Sequence, residues 1–105
     1  MVTTKNIDQV RELIIKDLTL SDEEAEGLMI SDESKIFNNL KAIIKYLLDH
    51  DFNRLINACY RLDVEQSKFQ QALNSPNPDN VPEAIALLII EREQEKIKWR
   101  LKYSS

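Results

Sequence analysis

Apolar residues recur at three- and four-residue spacing along most of the chain. Ile7, Val10, Ile14 and Leu18 form the first row, widened by Leu13. That period lays side chains along one face of a helix, so residues 4–18 are predicted helical, with Thr4 as N-cap. Residues 20–27 predict a short helical turn. Ser21 and Glu24 have the spacing of a capping box, in which the Ser oxygen accepts from the third helical amide and the Glu reaches back. Gly27 suits the left-handed position that ends a helix. Leu20-Ser21-Asp22-Glu23-Glu24 is echoed by Ile30-Ser31-Asp32-Glu33-Ser34. The echo marks two helix starts, because one ten-residue copy is too short to stack as a repeat.

The cleanest row is Ile36, Phe37, Leu40, Ile43, Ile44, Leu47 and Leu48, which predicts a third helix over 32–49. Asn38, Asn39, Lys41 and Lys45 take its other face. A fourth helix over 52–62 carries Phe52, Leu55, Ile56, Cys59 and Leu62 on one side. No Gly or Pro separates these two helices. A single helix over 32–62 would be about 45 Å long, more than a domain of this size is wide. A break is therefore expected at Asp49-His50-Asp51, with Asp51 capping the new helix. A fifth helix over 64–73 follows, capped by Asp63 with Gln66 three residues on, and Phe69, Ala72 and Leu73 face inward. Residues 74–80 contain two Pro and three Asn and read as a loop. Pro82 belongs in the first turn of a last helix running to Tyr103. Residues 84–90 are apolar all round, which makes this the expected central helix.

The pattern implies an all-α fold: a compact bundle of four to five main helices plus a short helical turn, in one domain over 1–105. Composition agrees. One Gly and three Pro in 105 residues are too few for sheets joined by tight turns. A chain of this length can bury a core without metal or disulfide. Cys59 is the only cysteine, so no internal disulfide exists, and a reducing compartment is the simpler expectation. Residues 1–6 are polar with no signal-peptide core, and no apolar run approaches the roughly 20 residues of a membrane span. A cytoplasmic location is expected. The net charge of −4 disfavours generic binding to nucleic acid or anionic membrane.

Candidate chemistry is sparse. Asp22, Glu24, Glu26, Gly27 and Glu33 fall at positions 1, 3, 5, 6 and 12 of an EF-hand frame. Glu is too long for positions 3 and 5, and two acid-rich helix starts explain the same residues. Asp49-His50-Asp51 resembles a metal or acid–base cluster, but adjacent residues do not share a helix face. A cationic His at a helix C-terminus is the simpler account. Cys59 lies on an apolar stripe, where it is a core residue rather than a nucleophile. Glu91 and Glu95 share a face but lack the Glu-x-x-His of a helical di-metal site. There is no phosphate-cradling Gly loop and no nucleophile elbow. No catalytic residue, metal ligand or cofactor site is expected.

The helices over 52–62 and 64–73 are joined tightly enough to suggest a helix–turn–helix. The second exposes Gln66, Ser67, Lys68, Gln70 and Gln71, residue types that read base edges. Against this, the turn lacks the frequent Gly, and Arg54, Arg61 and Lys68 barely outweigh Asp63 and Glu65. The most distinctive stretch is Ile97-Lys98-Trp99-Arg100-Leu101-Lys102-Tyr103. On a helix, Ile97 and Leu101 share one face while Trp99 and Tyr103 lie nearly opposite. The commoner outcome for such aromatics is burial under another part of the domain. The alternative is a partner interface of Trp99, Tyr103, Arg100 and Lys102, since Trp and Tyr are favoured anchors. Interleaved basic and aromatic groups also suit single-stranded nucleic acid or anionic lipid.

The segments His50-Asp51-Phe52-Asn53-Arg54-Leu55-Ile56 and Tyr60-Arg61-Leu62-Asp63-Val64, with Ala86-Leu87-Leu88-Ile89-Ile90-Glu91-Arg92-Glu93-Gln94-Glu95-Lys96-Ile97, resemble small, uncharacterised, all-helical bacterial proteins of about this length. The resemblance covers roughly the C-terminal half and implies a bacterial, cytoplasmic protein. It brings no activity, cofactor or residue role with it. The expected function is that of a non-enzymatic helical protein–protein interaction or adaptor protein, self-association included. The alternative is a DNA-binding or regulatory module using the helix pair 52–62 and 64–73.

Overall fold

Of the predicted elements, the last helix organises the rest. The computed structural model describes residues 7–29 and 33–103, and the backbone alone for Ile7, Glu33, Ser34, Leu101 and Tyr103. Six α-helices are present among these residues: α1 (Ile7–Asp17), α2 (Asp22–Met29), α3 (Glu33–His50), α4 (Phe52–Arg61), α5 (Gln66–Leu73) and α6 (Val81–Tyr103). A 3-10 turn at Pro78–Asn80 leads into α6. Helix α6 packs against α1, α3 and α5, while α4 packs on α3 and α2 bridges α1 and α3. The all-α bundle is thus the architecture, with the expected short turn extended to an eight-residue α2.

Burial explains this arrangement. Ile85, Ala86, Ile89, Ile90 and Ile97 of α6 meet Leu40, Ile44 and Leu47 of α3 and Val10, Ile14 and Leu18 of α1 in one core cluster. Leu28, Leu55, Ala58, Phe69 and Ala72 bring α2, α4 and α5 into it. Each fully buried Leu or Ile is worth about 1.5–3 kcal/mol of transfer free energy. The apolar run of α6 is not buried all round, because Leu87 is exposed. The Cα radius of gyration, 13.3 Å, is that of a compact chain of this length. None of the described helices is long and apolar enough to cross a membrane.

Local chemistry sets the helix boundaries. Ser21 and Glu24 form the capping box: the Glu24 amide donates to Ser21 Oγ at 3.3 Å, and the Ser21 amide to Glu24 Oε1 at 2.9 Å. Asp51 divides α3 from α4 as expected, its side chain accepting from the Arg54 amide at 3.3 Å. The expected N-cap Thr4 and the second cap at 30–34 lie outside the residues described in full. The expected loop over 74–80 is half ordered: Asn77 accepts from the Asp79 amide at 3.0 Å and starts the 3-10 turn. Pro82 sits at the second position of α6, where no amide is needed.

Two terminations differ from expectation. Gly27 has no left-handed conformation and lies inside α2. Among the described residues, the left-handed ones are Thr19 (φ 48°) and Asp63 (φ 61°). At Asp63, the Asp63 amide donates to Tyr60 O and the Val64 amide to Cys59 O. At Thr19, the Thr19 amide donates to Lys16 O and the Leu20 amide to Ile15 O. Both are Schellman terminations built without glycine. Asp63 therefore ends α4 rather than capping α5, whose N-cap, Glu65, makes no side-chain capping bond. Arginines from other helices complete both ends: Arg61 donates to Asp17 O at 3.1 Å and Arg92 to Leu62 O at 2.7 Å.

Candidate functional site

Ile97 joins the core cluster from the last third of α6. That side chain is buried, whereas Lys98, Trp99, Arg100 and Lys102 beyond it are all exposed. Trp99 is 50% exposed, so the full burial expected for this residue does not occur. Lys102 Nζ lies 5.4 Å from the Trp99 ring centroid, a cation–π contact within one helical turn. The side chain of Tyr103 lies outside the described residues.

A second apolar surface was not expected. Leu55, Ala58, Cys59 and Leu62 are the buried residues of α4 and its C-cap. Phe52 and Ile56, assigned to the inward stripe by spacing alone, are 37% and 39% exposed. With Tyr60, 85% exposed, they form an i, i+4, i+8 row along the outer edge of α4. The signal was present. Seven of the eleven residues over 52–62 are apolar or aromatic, an arc too wide for one packing partner.

The outer row of α4 borders a groove shared with α5. Ile56, Tyr60, Val64 and Phe69 supply its apolar walls and Cys59 its floor, around a volume of about 540 Å³. Asp63 and Glu65 stand on its rim with Gln66 and Gln70, and no cation lines it. The tight turn between α4 and α5, with Asp63 in the left-handed conformation, fixes this geometry. Asp63 lies 3.8 Å from Arg92, and Glu65 lies 3.9 Å from Lys68. Both pairs are solvent-exposed and weakly stabilising.

The remaining sequence candidates are dispersed. The residues of the EF-hand frame cannot form a calcium loop, because Asp22–Met29 is helix. Glu24 is committed to Ser21 and, at 2.8 Å, to Arg54. Burial pushes its carboxyl up, but the hydrogen bonds from Ser21 and Arg54 outweigh this and hold it below the ordinary value. His50 closes α3 with its ring 4.8 Å from that of Tyr46, while Asp49 is exposed and Asp51 is occupied as a cap. Cys59 is buried and its thiol is pushed up to about 12, so it is no thiolate nucleophile. Glu91 and Glu95 are exposed, and Glu95 pairs with Arg92 at 2.6 Å. No cluster of metal-ligating side chains occurs among the described residues. Gln66, Ser67, Lys68, Gln70 and Gln71 are exposed on α5, with Lys68 as the only cation of that helix.

One buried polar cluster escaped sequence reasoning. Glu93 of α6 is fully buried, and no described donor reaches either carboxylate oxygen. It faces the carboxyl of Asp17 at the end of α1, which accepts from Lys96 Nζ at 2.9 Å. Burial and the neighbouring Asp17 push the Glu93 carboxyl up to about 8. At Asp17, burial is outweighed by hydrogen bonds from Glu93 and Lys96 and by the Lys96 charge, which hold it below the ordinary value. Near neutral pH the pair is an acid donating its proton to a carboxylate. It lies in no cavity among those lined by the groove residues, and its role is to join α1 to α6.

Comparison with known proteins adds no assignment: no family model, no curated protein and no solved structure matches this chain.

Proposed function

We propose that this chain is a non-enzymatic helical interaction module, an adaptor that receives an apolar anchor of a protein partner in the groove between α4 and α5. The observation that carries the reading is the exposed row Phe52, Ile56 and Tyr60 beside that groove. A row of three large apolar side chains at helical spacing costs solubility and contributes little to the core. Aromatic anchors in partly formed pockets supply most of the affinity of protein interfaces. The exposed end of α6, with Trp99, Arg100 and Lys102, is a second surface of the same kind.

DNA binding through α5 is the weaker reading. Its polar row offers one cation, Lys68, which is already beside Glu65. Asp63 and Glu65 at the start of that helix repel phosphate, and register on a duplex depends on phosphate contacts.

The test is capture from a native lysate by the tagged chain, with nuclease present, compared with an Ile56→Asp variant of matched helical content. The reading expects a stoichiometric protein that survives nuclease and disappears with Ile56→Asp. Equal recovery by both chains removes the groove from the account. Recovery that depends on nucleic acid, with heparin retention lost as salt rises, puts the α5 reading first.

A further inference from the structure

The groove and the end of α6 are complementary to one another. The groove is apolar within and carboxylate-rimmed, with Asp63 and Glu65 on its edge and no cation among its lining. The adjoining surface under Arg92 is also acid-rich, with Asp63, Glu65, Glu91 and Glu95 against Arg92 and Lys68. The end of α6 has the opposite character. Within five residues it exposes Lys98, Arg100 and Lys102 around one half-exposed indole, on a chain whose net charge is −4. Its backbone stays helical to Tyr103, about 9 Å beyond Ile97 at 1.5 Å per residue. A helical stub of that length fits a groove between two helices.

We propose that the occupant of the α4/α5 groove is the basic, aromatic end of α6 from a second copy of this chain, with Trp99 set between Ile56 and Tyr60 and its flanking cations against Asp63 and Glu65. The inference rests on the groove reading above and adds the identity of the occupant. Helix α6 is unbroken to its end, and Trp99 is not among the side chains lining its own chain's groove. A second copy therefore has to bring it. The contact joins two unlike surfaces, so each chain carries one donor end and one acceptor groove. Opposite charges across the contact make the association salt-sensitive.

Sedimentation velocity of the purified chain across a wide range of concentrations tests this. The proposal expects a sedimentation coefficient that rises with concentration and falls back in about 0.5 M salt, where exposed charges are screened. Trp99→Ala and Tyr60→Ala, both at exposed positions and both checked for unchanged helical content, should each be monomeric alone. Mixed together they should form a one-to-one complex that grows no further, because one intact end still meets one intact groove. A wild-type chain that stays monomeric throughout overturns the proposal, as does association that survives either substitution or a mixture that stays monomeric. Lysate capture that remains sensitive to Ile56→Asp would then keep the groove and discard only the second copy as its occupant. Capture insensitive to Ile56→Asp removes both.

Discussion

A Glu93→Gln substitution keeps the shape of a fully buried side chain and removes its charge. The glutamine amide can donate to the Asp17 carboxylate as the protonated acid does. The wild-type carboxyl has a folded pKa of about 8, above its ordinary 4.5, because burial and Asp17 both oppose ionisation. Between those two values the folded protein holds a proton that the unfolded chain has lost. The resulting stabilisation is fully present below 4.5, declines as pH rises, and is gone once pH passes about 8. From pH 6 to pH 9 the change spans about two pKa units, or up to about 3 kcal/mol. In a domain of this size that is roughly 10 °C or more in Tm. Asp17 acts in the opposite sense: its lowered pKa stabilises above the ordinary 3.8 and is lost as pH falls below that range.

Thermal or urea unfolding of wild type and Glu93→Gln at pH 6, 7.5 and 9 separates this effect from every other titrating group, since both proteins share the rest. The variant should already be the more stable at pH 6, and its advantage should grow by up to about 3 kcal/mol between pH 6 and pH 9. The charged groups acting on Glu93 are Asp17 from α1 and Lys96 and Arg100 from its own helix. If the difference between the two proteins does not change with pH, Glu93 is not a protonated acid in the folded chain, and the account of the Asp17 pair is wrong.

Three further outcomes follow from local geometry. Thr19→Gly should raise unfolding free energy by roughly 0.5–1 kcal/mol, because a β-branched residue at φ 48° is strained and glycine is not; urea midpoints measure it, and a loss would mean that the Thr19 hydroxyl bond to Leu18 O matters more. Trp99→Ala should change stability by no more than about 0.5 kcal/mol, since the indole is half exposed; a loss of about 3 kcal/mol or more belongs to a core aromatic. The Cys59 thiol, pushed up to about 12 by burial, should react with a disulfide reagent at pH 8.5 only as fast as the chain opens; labelling at the rate of a free thiol would show that the floor of the groove is open to solvent.

Much of the fold was legible because α-helices announce themselves through periodicity. The capping box at Ser21 and Glu24 and the break at Asp51 rest on contacts within three residues, so spacing alone suffices to find them. The terminations at Thr19 and Asp63 were not legible. A left-handed residue is normally signalled by Gly, and here a threonine and an aspartate take that place, beside carbonyls bonded by arginines 44 and 30 residues away in sequence. Tertiary contact overrode local preference at both ends, and Gly27, freed from the role, remained inside α2.

The surfaces were legible to a different degree. A periodic pattern says which residues share a face, but not how wide an arc a neighbouring helix covers. On α4, which packs against α3, Leu55, Ala58 and Cys59 are buried while Phe52 and Ile56 stay exposed. The exposed row therefore depends on how far neighbouring helices cover α4, a quantity no single helix encodes. At the end of α6 the reverse holds. Trp99 lies opposite Ile97 on the helical wheel, so burying one against the core necessarily turns the other outward unless a further element arrives. Helices α1, α3 and α5 pack against α6, whose buried row includes Ile85, Ile89 and Ile97, and Trp99 stays half exposed. Glu93 shares that inward side, which explains both its burial and its silence in the sequence: the position is set by the same period that buries the isoleucines, and only the approach of Asp17 from α1 makes an acid tolerable there.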